Sequence, residues 1–418
     1  MHGSRRSGAA IGASSHGFPD MHDVAVIGGG PGGLHVARLL AAAGFDVTVL
    51  EEHEVSGDPV HCTGVLAAEA FDEFDIPRDS ILNELRTARF VAPSGYSISY
   101  TTPSVEAVAV DRLVFDRLLY DSARRAGARF APRSRAVSLE VAQHGVRITL
   151  ASGSSVRSRL CVLACGASYR LQQQLGLGLP AAYLQSAQLE VPCMRPGDVE
   201  VHFGRTVAPD GFAWIVPVRR QNSDWHARIG LMCRRDSAAS FNRFIRAVRE
   251  RLGLLVPASS PQPRRRMLPL APIPRTFMDR VIAIGDAAGI VKATTGGGIY
   301  YSLVSAGLAA DVLAPALRRD RLGVSTLAQY ESLWRRKLGP EIDAQLELRT
   351  LAHRMDDGDI EALFELARTD GIMPLVRRTA KFNHHRTLIR ALLRHPPARR
   401  VLFDRLRAST RRLTRAAD

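Results

Sequence analysis

Lysine is nearly missing from this sequence. Only three of its 56 basic residues are lysines (Lys292, Lys337 and Lys381), and the rest are arginines. Beside the many alanines, that skew reads as genome composition before it reads as function. Cysteine is scarce too: five residues, at 62, 161, 165, 193 and 233, show no CxxC pair and no zinc-like spacing. That pattern indicates neither a structural metal nor an iron–sulfur cluster, and a scattered odd number suits a reducing cytoplasm. No run reaches the roughly 18 apolar residues of a membrane span. The chain has 418 residues, 46% hydrophobic and 23% charged, with a mean hydropathy of -0.05. This excludes a disordered, collagenous or disulfide-rich chain and leaves room for two or three domains.

The net charge of +15 is unevenly placed. Residues 376–418 hold twelve arginines and one lysine against Asp404 and Asp418, so the basic character belongs to the C-terminal tail. Leu388, Ile389, Leu392 and Leu393, then Val401, Leu402 and Leu406, recur there at helical spacing among the arginines. Such a helix either lies on an anionic lipid surface or packs its apolar stripe on the body with the arginines solvated. With Phe382 and Phe403 its only aromatic residues, the tail lacks the stacking platforms of a nucleic-acid binder.

Residues 1–20, rich in Gly, Ser and Ala, read as a disordered extension. The pattern then sharpens into a βαβ unit: a buried strand over 23–27, a glycine turn over 28–33, a helix over 34–43 and a strand over 46–50. A hairpin is expected over 86–91 and 96–100, a helix over 112–127, and strands near 135–142, 145–150 and 160–164. Residues 183–233 alternate as strands do, 280–284 form another buried strand, 300–317 an apolar helix, and the chain beyond about 325 is helical.

Gly28-Gly29-Gly30-Pro31-Gly32-Gly33 fits G-x-G-x-x-G between a strand and a helix. The first glycine allows the tight turn, the second lets the backbone approach a pyrophosphate, and the third lets helix and strand pack closely. Glu51, followed by Glu52, ends the next strand, where a carboxylate can take the hydroxyls of a ribose. To this point the ligand is NAD or FAD. A second constellation decides for FAD. The strand 281–284 ends in Gly285-Asp286-Ala287-Ala288-Gly289, and Thr295-Gly296-Gly297-Gly298 opens the apolar helix at Ile299. An aspartate there can bond a ribityl hydroxyl. The glycine run brings N–H groups and a helix N-terminus against a planar ring, favouring the charge that a reduced flavin develops at its N1/O2 edge.

On these motifs the sequence resembles the FAD-dependent geranylgeranyl reductases, within the para-hydroxybenzoate hydroxylase-like flavoproteins, from Asp23 to about Leu308. Val110-Asp111-Arg112, His61-Cys62-Thr63-Gly64 (similar to the family's Cys-x-Gly segment) and Gly211-Phe212-Ala213-Trp214-Ile215-Val216-Pro217 (similar to its aromatic-x-Trp-x-Phe-Pro signature) add to it. Phe212 stands where a tyrosine is common and Val216 where a phenylalanine is. The resemblance implies that Arg112, and with it Arg38, meets the pyrophosphate or adenosine end of FAD. It implies that Phe212, Trp214 and Pro217 line an elongated apolar cavity, and that Cys62 lies beside the flavin. A thiol there can donate a proton to a substrate carbon, although a free cysteine is as readily a small buried hydrophobe.

The fold expected is α/β: a Rossmann-like FAD-binding domain (21–84, 101–179 and 271–318), a mostly antiparallel substrate domain (85–100 and 180–270) and a helical C-terminal region (319–418). The reaction expected is reduction of isolated C=C bonds in a geranylgeranyl or polyprenyl chain. Hydride comes from reduced flavin and a proton from Cys62, Tyr300 or water. NADPH or a ferredoxin is the electron donor, since no second dinucleotide motif is visible. The expected location is the cytoplasm, with peripheral membrane contact through 376–415. An aromatic hydroxylase of the same fold is the main alternative, though Cys165 stands where hydroxylases usually carry aspartate. A flavin-dependent halogenase needs an early lysine, and none precedes Lys292. An electron-transfer flavoprotein–quinone oxidoreductase would need a cysteine-ligated cluster. A binding protein retaining a vestigial flavin fold would have no reason to keep both FAD motifs.

Overall fold

Aliphatic runs with no polar alternation force their strands into the interior, and that sets the central layer. The computed structural model describes residues 21–220, 224–255, 262–369 and 371–403. The expected N-terminal extension and the end of the basic tail lie outside the described residues.

The chain opens with β1 (His22–Ile27), α1 (Pro31–Ala42) and β2 (Val47–Leu50). Val24, Ala25 and Val26 have no exposed surface, so β1 is covered on both faces. Pro31 presets the first turn of α1, its missing N–H costing nothing there. Next come β3 (Val65–Ala67), α2 (Glu69–Glu73), β4 (Ile81–Leu85), β5 (Thr87–Val91), β6 (Ser97–Thr101) and β7 (Ala107–Val110). They lead into α3 (Arg112–Arg125), whose start is capped by Asp111 accepting from the N–H groups of Leu113 and Val114. After β8 (Arg129–Ala131), β9 (Ala136–Ala142), β10 (Gly145–Leu150) and β11 (Ser155–Leu163) comes the short α4 (Arg170–Gln174).

The middle of the chain gives β12 (Tyr183–Pro192), β13 (Val199–His202), β14 (Phe212–Arg219), β15 (Trp225–Cys233), α5 (Ser237–Leu252) and β16 (Arg264–Pro269). The last part holds β17 (Phe277–Met278), β18 (Val281–Ala283), α6 (Ile299–Arg318), α7 (Val324–Ala352), α8 (Asp357–Arg368), α9 (Met373–Thr379) and α10 (Arg386–Arg394).

Three sheets form among the described residues. The first has the order β17-β18-β11-β1-β2-β8, with β10 and β9 continuing from β11. Its centre, β18-β11-β1-β2-β8, is parallel. The second runs β16-β12-β15-β14-β13-β5-β6 and is antiparallel except where β13 meets β5. A small third sheet, β3-β7-β4, lies outside both. The mixed α/β architecture, its antiparallel sheet and its helical C-terminal part agree with the reading of the sequence.

Two features go beyond the elements expected from the sequence. The strands of the third sheet are three to five residues long, too short for a period to register. Helix α5 is the other. Phe241, Phe244, Ile245, Val248 and Leu252 form its stripe and pack against Ala213, Ile215, Ala227, Ile229 and Leu231. It covers one face of the second sheet and leaves the opposite face for a ligand. Helix α6 is long and apolar enough to cross a membrane by composition. It lies in the main core, however, with Leu303, Ala306, Ala309 and Leu313 fully buried.

Candidate functional site

Between the open face of the second sheet, the C-terminal ends of the parallel strands and the C-terminal helices runs one cavity of about 1900 Å³. A single small-ligand pocket takes roughly 300–1,000 Å³, so this one has room for a cofactor and a second large molecule.

One end is a nucleotide cradle. Gly28 has φ +109°, and a Cβ there would lie 2.4 Å from the Ala164 carbonyl oxygen. A Cβ on Gly33 would lie 2.1 Å from the Gly28 oxygen, so only glycine lets α1 close on the turn. A Cβ on Gly30 would meet nothing within 4 Å, because that position opens into the cavity. Glu51 braces the turn: its Oε2 accepts from Gly29 N (2.7 Å), while Oε1 accepts from His53 N (2.9 Å) and faces His53 Nδ1 (2.6 Å). Glu52 and Pro31 also line the cavity.

The second glycine run forms the opposite wall. The turn Gly285–Ala288 is pinned by Tyr169 Oη donating to the Asp286 carbonyl (2.6 Å) and Gln172 Nε2 to that of Ala287 (2.9 Å). A Cβ on Gly285 would strike Ser302 Oγ at 1.8 Å, and one on Gly298 would strike Asp286 Oδ1 at 2.3 Å. Burial raises the Asp286 carboxyl to about 6, and the Arg112 charge opposes the rise. Gly296, Gly297, Gly298 and Ile299 all line the cavity. The helices opening onto it, α1 at Gly30 and α6 at Gly298, carry no capping side chain. Two sets of first-turn N–H groups are thus left for an anionic or carbonyl ligand. A dinucleotide with a planar, electron-accepting ring fits this donor set.

Arg112 lines the cavity and grips Asp116 through Nε (3.1 Å) and Nη2 (2.8 Å). Burial works against its charge, but Asp116 and the Cys62 sulfur, which the guanidinium also reaches, hold it above the usual arginine range. Cys62 itself faces the cavity, and Gly64 N donates to its Sγ at 3.4 Å. Arg228 holds the segment in place, its Nη1 donating to the carbonyls of Thr63 (2.7 Å) and Val110 (2.8 Å) and its Nε to Glu190 (2.8 Å).

Along β14 the two-residue period decides which side chains reach the ligand. Phe212, Trp214 and Val216 line the cavity; Ala213 and Ile215 pack toward α5. Phe212 and Trp214 meet edge-on at 5.8 Å. Pro217, expected among the substrate contacts, falls on the other phase of the strand and does not line the cavity.

Two further expectations place differently. Arg38 does not line the cavity: its Nη2 donates to the Phe74 carbonyl (3.4 Å), with Asp75 3.8 Å from Nη1. Tyr300 follows Ile299 on α6, and the helical turn swings it away from the cavity that Ile299 and Ser302 line. Its hydroxyl donates to Glu73 (2.7 Å), and burial and Glu73 raise it well above the ordinary tyrosine range. Neither its position nor its acidity suits a proton donor to a ligand in the cavity.

Three contributors were not foreseen. Phe203, in the irregular chain after β13, gathers Phe90, Phe212 and Phe364 around it at 6.1–6.5 Å. His61 has both ring nitrogens buried without a partner. Lys292 is 5% exposed and lines the cavity beside the glycine run. His61 opens the quoted His61-Cys62-Thr63-Gly64 segment and Lys292 lies between two quoted motifs, but neither side chain carried a signal of its own.

The far end of the cavity is apolar and roofed by the last helices, through Leu348, Leu363, Phe364, Leu388, Ile389 and Leu392. The stripe of α10 therefore faces inward, with Ile389 2% exposed, while Arg390 and Arg394 face outward. Of the two roles open to the stripe, packing on the body is the one observed over the described part of the tail.

Burial also gives the chain a pH dependence. His35, His61 and His385 are each lowered to about 4, first by burial, then by nearby positive charge: Arg38 for His35, Arg266 and Arg264 for His61, Lys292 for His385. Unfolded, they titrate near their ordinary 6.5. The native state thus holds fewer protons across the interval, and stability, complete above 6.5, falls as the pH drops toward 4. Thermal melts across that range are expected to show a falling midpoint. His35→Phe, which keeps a ring edge-on to Phe74, flattens the fall.

Comparison with known proteins places this geometry. The FAD dependent oxidoreductase family matches residues 23–94. A digeranylgeranylglycerophospholipid reductase of Methanothermobacter thermautotrophicus is 28% identical over 401 residues, covering 92% of this chain and 99% of that protein. The corresponding protein of Methanocaldococcus jannaschii is 26% identical over 361 residues, 83% of this chain and 90% of its own. The crystal structure of a geranylgeranyl bacteriochlorophyll reductase-like protein from Thermoplasma acidophilum superposes with a TM-score of 0.79 at 21% identity, over 93% of this chain and 99% of that one.

Proposed function

We propose that this chain, similar at 26–28% identity to digeranylgeranylglycerophospholipid reductases, is an FAD-dependent reductase of the geranylgeranyl reductase kind that saturates isolated C=C bonds of a geranylgeranyl or polyprenyl chain lying in the apolar half of the cavity. The observation that carries this reading is the continuity of the cavity. The cavity that holds the uncapped two-helix cradle is lined as well by Phe203, Phe212, Trp214, Phe364 and Leu392. A water-soluble aromatic substrate has no use for so long an apolar extension.

FAD, when bound, supplies hydride from N5 of its reduced ring. The chain does the rest. Gly28, Gly30, Gly33 and Glu51 hold the adenosine and pyrophosphate, with Arg112 beside them. Asp286, Gly296, Gly297 and Gly298 hold the ribityl chain and the ring edge. Phe212 and Trp214 lay the alkene against the ring, and the aromatic cluster keeps water out, which an unactivated double bond requires. Cys62 delivers the proton to the second alkene carbon.

In this reading, 21–84, 101–179 and 271–318 form the flavin-binding part, 85–100 and 180–270 the wall against the substrate, and 319–418 the roof. Electrons arrive from a diffusing donor, NADPH or a ferredoxin. With the α10 stripe turned inward, peripheral contact with an anionic membrane runs through the outward arginines, and part of the 376–415 segment assigned to it lies outside the described residues.

The test is anaerobic. Protein reduced with dithionite is mixed with geranylgeranyl diphosphate or a prenylated lipid, and the flavin spectrum and product masses are followed. Reoxidation with products heavier by two hydrogens per step is expected. Leu392→Trp, which shortens the tunnel, shifts acceptance toward shorter chains. A flavin that stays reduced until oxygen is admitted turns the assignment to a hydroxylase.

A further inference from the structure

Of the three lysines, Lys337 and Lys381 are exposed and Lys292 is buried. In a chain that uses arginine almost everywhere, a compact ammonium has been placed in the interior at the edge of the flavin cradle. Its Nζ donates to Asn383 Oδ1 (3.0 Å) and the Phe382 carbonyl (3.3 Å), and sits 4.3 Å from the centre of the Phe382 ring. All three contacts hold a cation, but none neutralises it. Among the described residues no carboxylate lies within ion-pair distance of Nζ. Glu69 is linked to it through Asn383, whose Nδ2 donates to Glu69 Oε1 (2.8 Å). The other titratable group facing it, His385, bonds to Thr294 (2.7 Å).

The lysine is also part of the glycine run. Its backbone N donates to the Gly297 carbonyl (3.1 Å), and its carbonyl accepts from Gly296 N (2.8 Å) and Thr295 N (3.2 Å). A Cβ on Gly297 would lie 3.1 Å from Lys292 Cε, so the side chain runs directly behind the surface on which the ring edge rests. A buried cation without a counter-ion is unfavourable unless an anion arrives. In keeping with this, burial pulls the amine down to about 7, while Glu69 acts weakly to raise it.

We infer that Lys292 is the counter-cation for the negative charge of the reduced flavin, and so sets the cofactor's midpoint potential. Two electrons and one proton convert the oxidised ring to its anionic reduced form. The charge gathers on the N1–C2=O edge, and the Lys292 ammonium keeps its own proton and balances it. The uncapped start of α6 supplies partial charge from one side and Lys292 a full charge from behind. This deepens the assignment of the cradle to FAD and rests on it.

Lys292→Met removes the charge at similar volume, and Lys292→Gln keeps a hydrogen-bond donor toward Asn383. Both are loaded with FAD and titrated with sulfite, which adds to N5 of oxidised flavin and leaves the same negative charge on N1–C2=O. Midpoint potentials are measured against reference dyes. Both variants are expected to bind oxidised FAD within threefold of the parent, to bind sulfite at least tenfold more weakly and to show a lower midpoint potential. Unchanged sulfite affinity and potential in both, or loss of oxidised FAD from both, overturns the inference. A parent protein that takes up no FAD at all overturns the cradle assignment itself.

Discussion

Gly30→Leu yields a folded protein that does not retain FAD. The turn between β1 and α1 contains glycines of two kinds, and the geometry separates them. Gly28 and Gly33 are glycine because the protein's own backbone is in the way: an added Cβ would stand 2.4 Å from the Ala164 oxygen and 2.1 Å from the Gly28 oxygen. Substitution there strains the fold whether or not a ligand is present, the more so at Gly28 with its φ of +109°. At Gly30 the backbone has φ -78° and an added Cβ touches nothing within 4 Å. The space is empty of protein and lies over the uncapped start of α1, where the pyrophosphate approaches. A leucine there leaves the apo protein intact and fills the path of the phosphates. Purified Gly30→Leu is expected to be colourless, with FAD affinity lowered at least 100-fold, about 2.7 kcal/mol or more, and a far-ultraviolet spectrum like that of the parent apoprotein. Gly28→Ala is expected to lower the melting midpoint of the apoprotein itself. If Gly30→Leu kept its flavin, the cradle would not be where the pyrophosphate binds.

Cys62→Ala is expected to lower kcat for alkene reduction by about 10²–10⁴-fold, the range for loss of a positioned proton donor, while the donor still reduces the flavin at the parent rate. With Tyr300 turned away and bonded to Glu73, Cys62 is the residue left of the two side chains that the sequence suggests. It is well held. Gly64 N points at its sulfur and Arg112 reaches it from α3, and Arg228 ties the neighbouring carbonyl of Thr63 to the second sheet. Arg228→Lys, unable to span Glu190, Thr63 and Val110 together, is expected to lower kcat without altering the flavin spectrum. Stopped-flow measurement of the two half-reactions checks both variants. Equal product formation by Cys62→Ala would transfer the proton step to water.

The cradle was readable because each of its requirements is a residue type at a fixed offset. Gly28, Gly30, Gly33 and Glu51 form one register, Asp286 and the run 296–298 another, and the buried strands beside them are unbroken aliphatic runs. Arg38 and Tyr300 went astray for a single reason. A motif locates a stretch of helix, but the side on which a residue emerges depends on phase against partners far away in sequence, Phe74 for the one and Glu73 for the other. Pro217 belongs to the same motif as Phe212 and Trp214, yet it falls on the odd phase of β14. Phe203 and the third sheet had no period to reveal them. The inward turn of the α10 stripe was one of two outcomes that its amphipathic pattern allowed, because an apolar face records what it avoids, water, without naming what it meets.

The roof over the tunnel comes wholly from the last quarter of the described chain, whereas both glycine registers come from elsewhere. On the proposed function, the glycine registers and the substrate roof are thus written in different stretches of the gene, joined where Phe382 and Asn383 hold Lys292. Under that proposal, drift at roof residues such as Leu363, Phe364, Leu388 and Leu392 retunes the length of the accepted chain, while Phe382 and Asn383 stay fixed on Lys292. Grafting that segment between relatives is accordingly a route to new chain selectivity under the proposed function, provided Phe382 and Asn383, which hold Lys292 beside the glycine run, are kept.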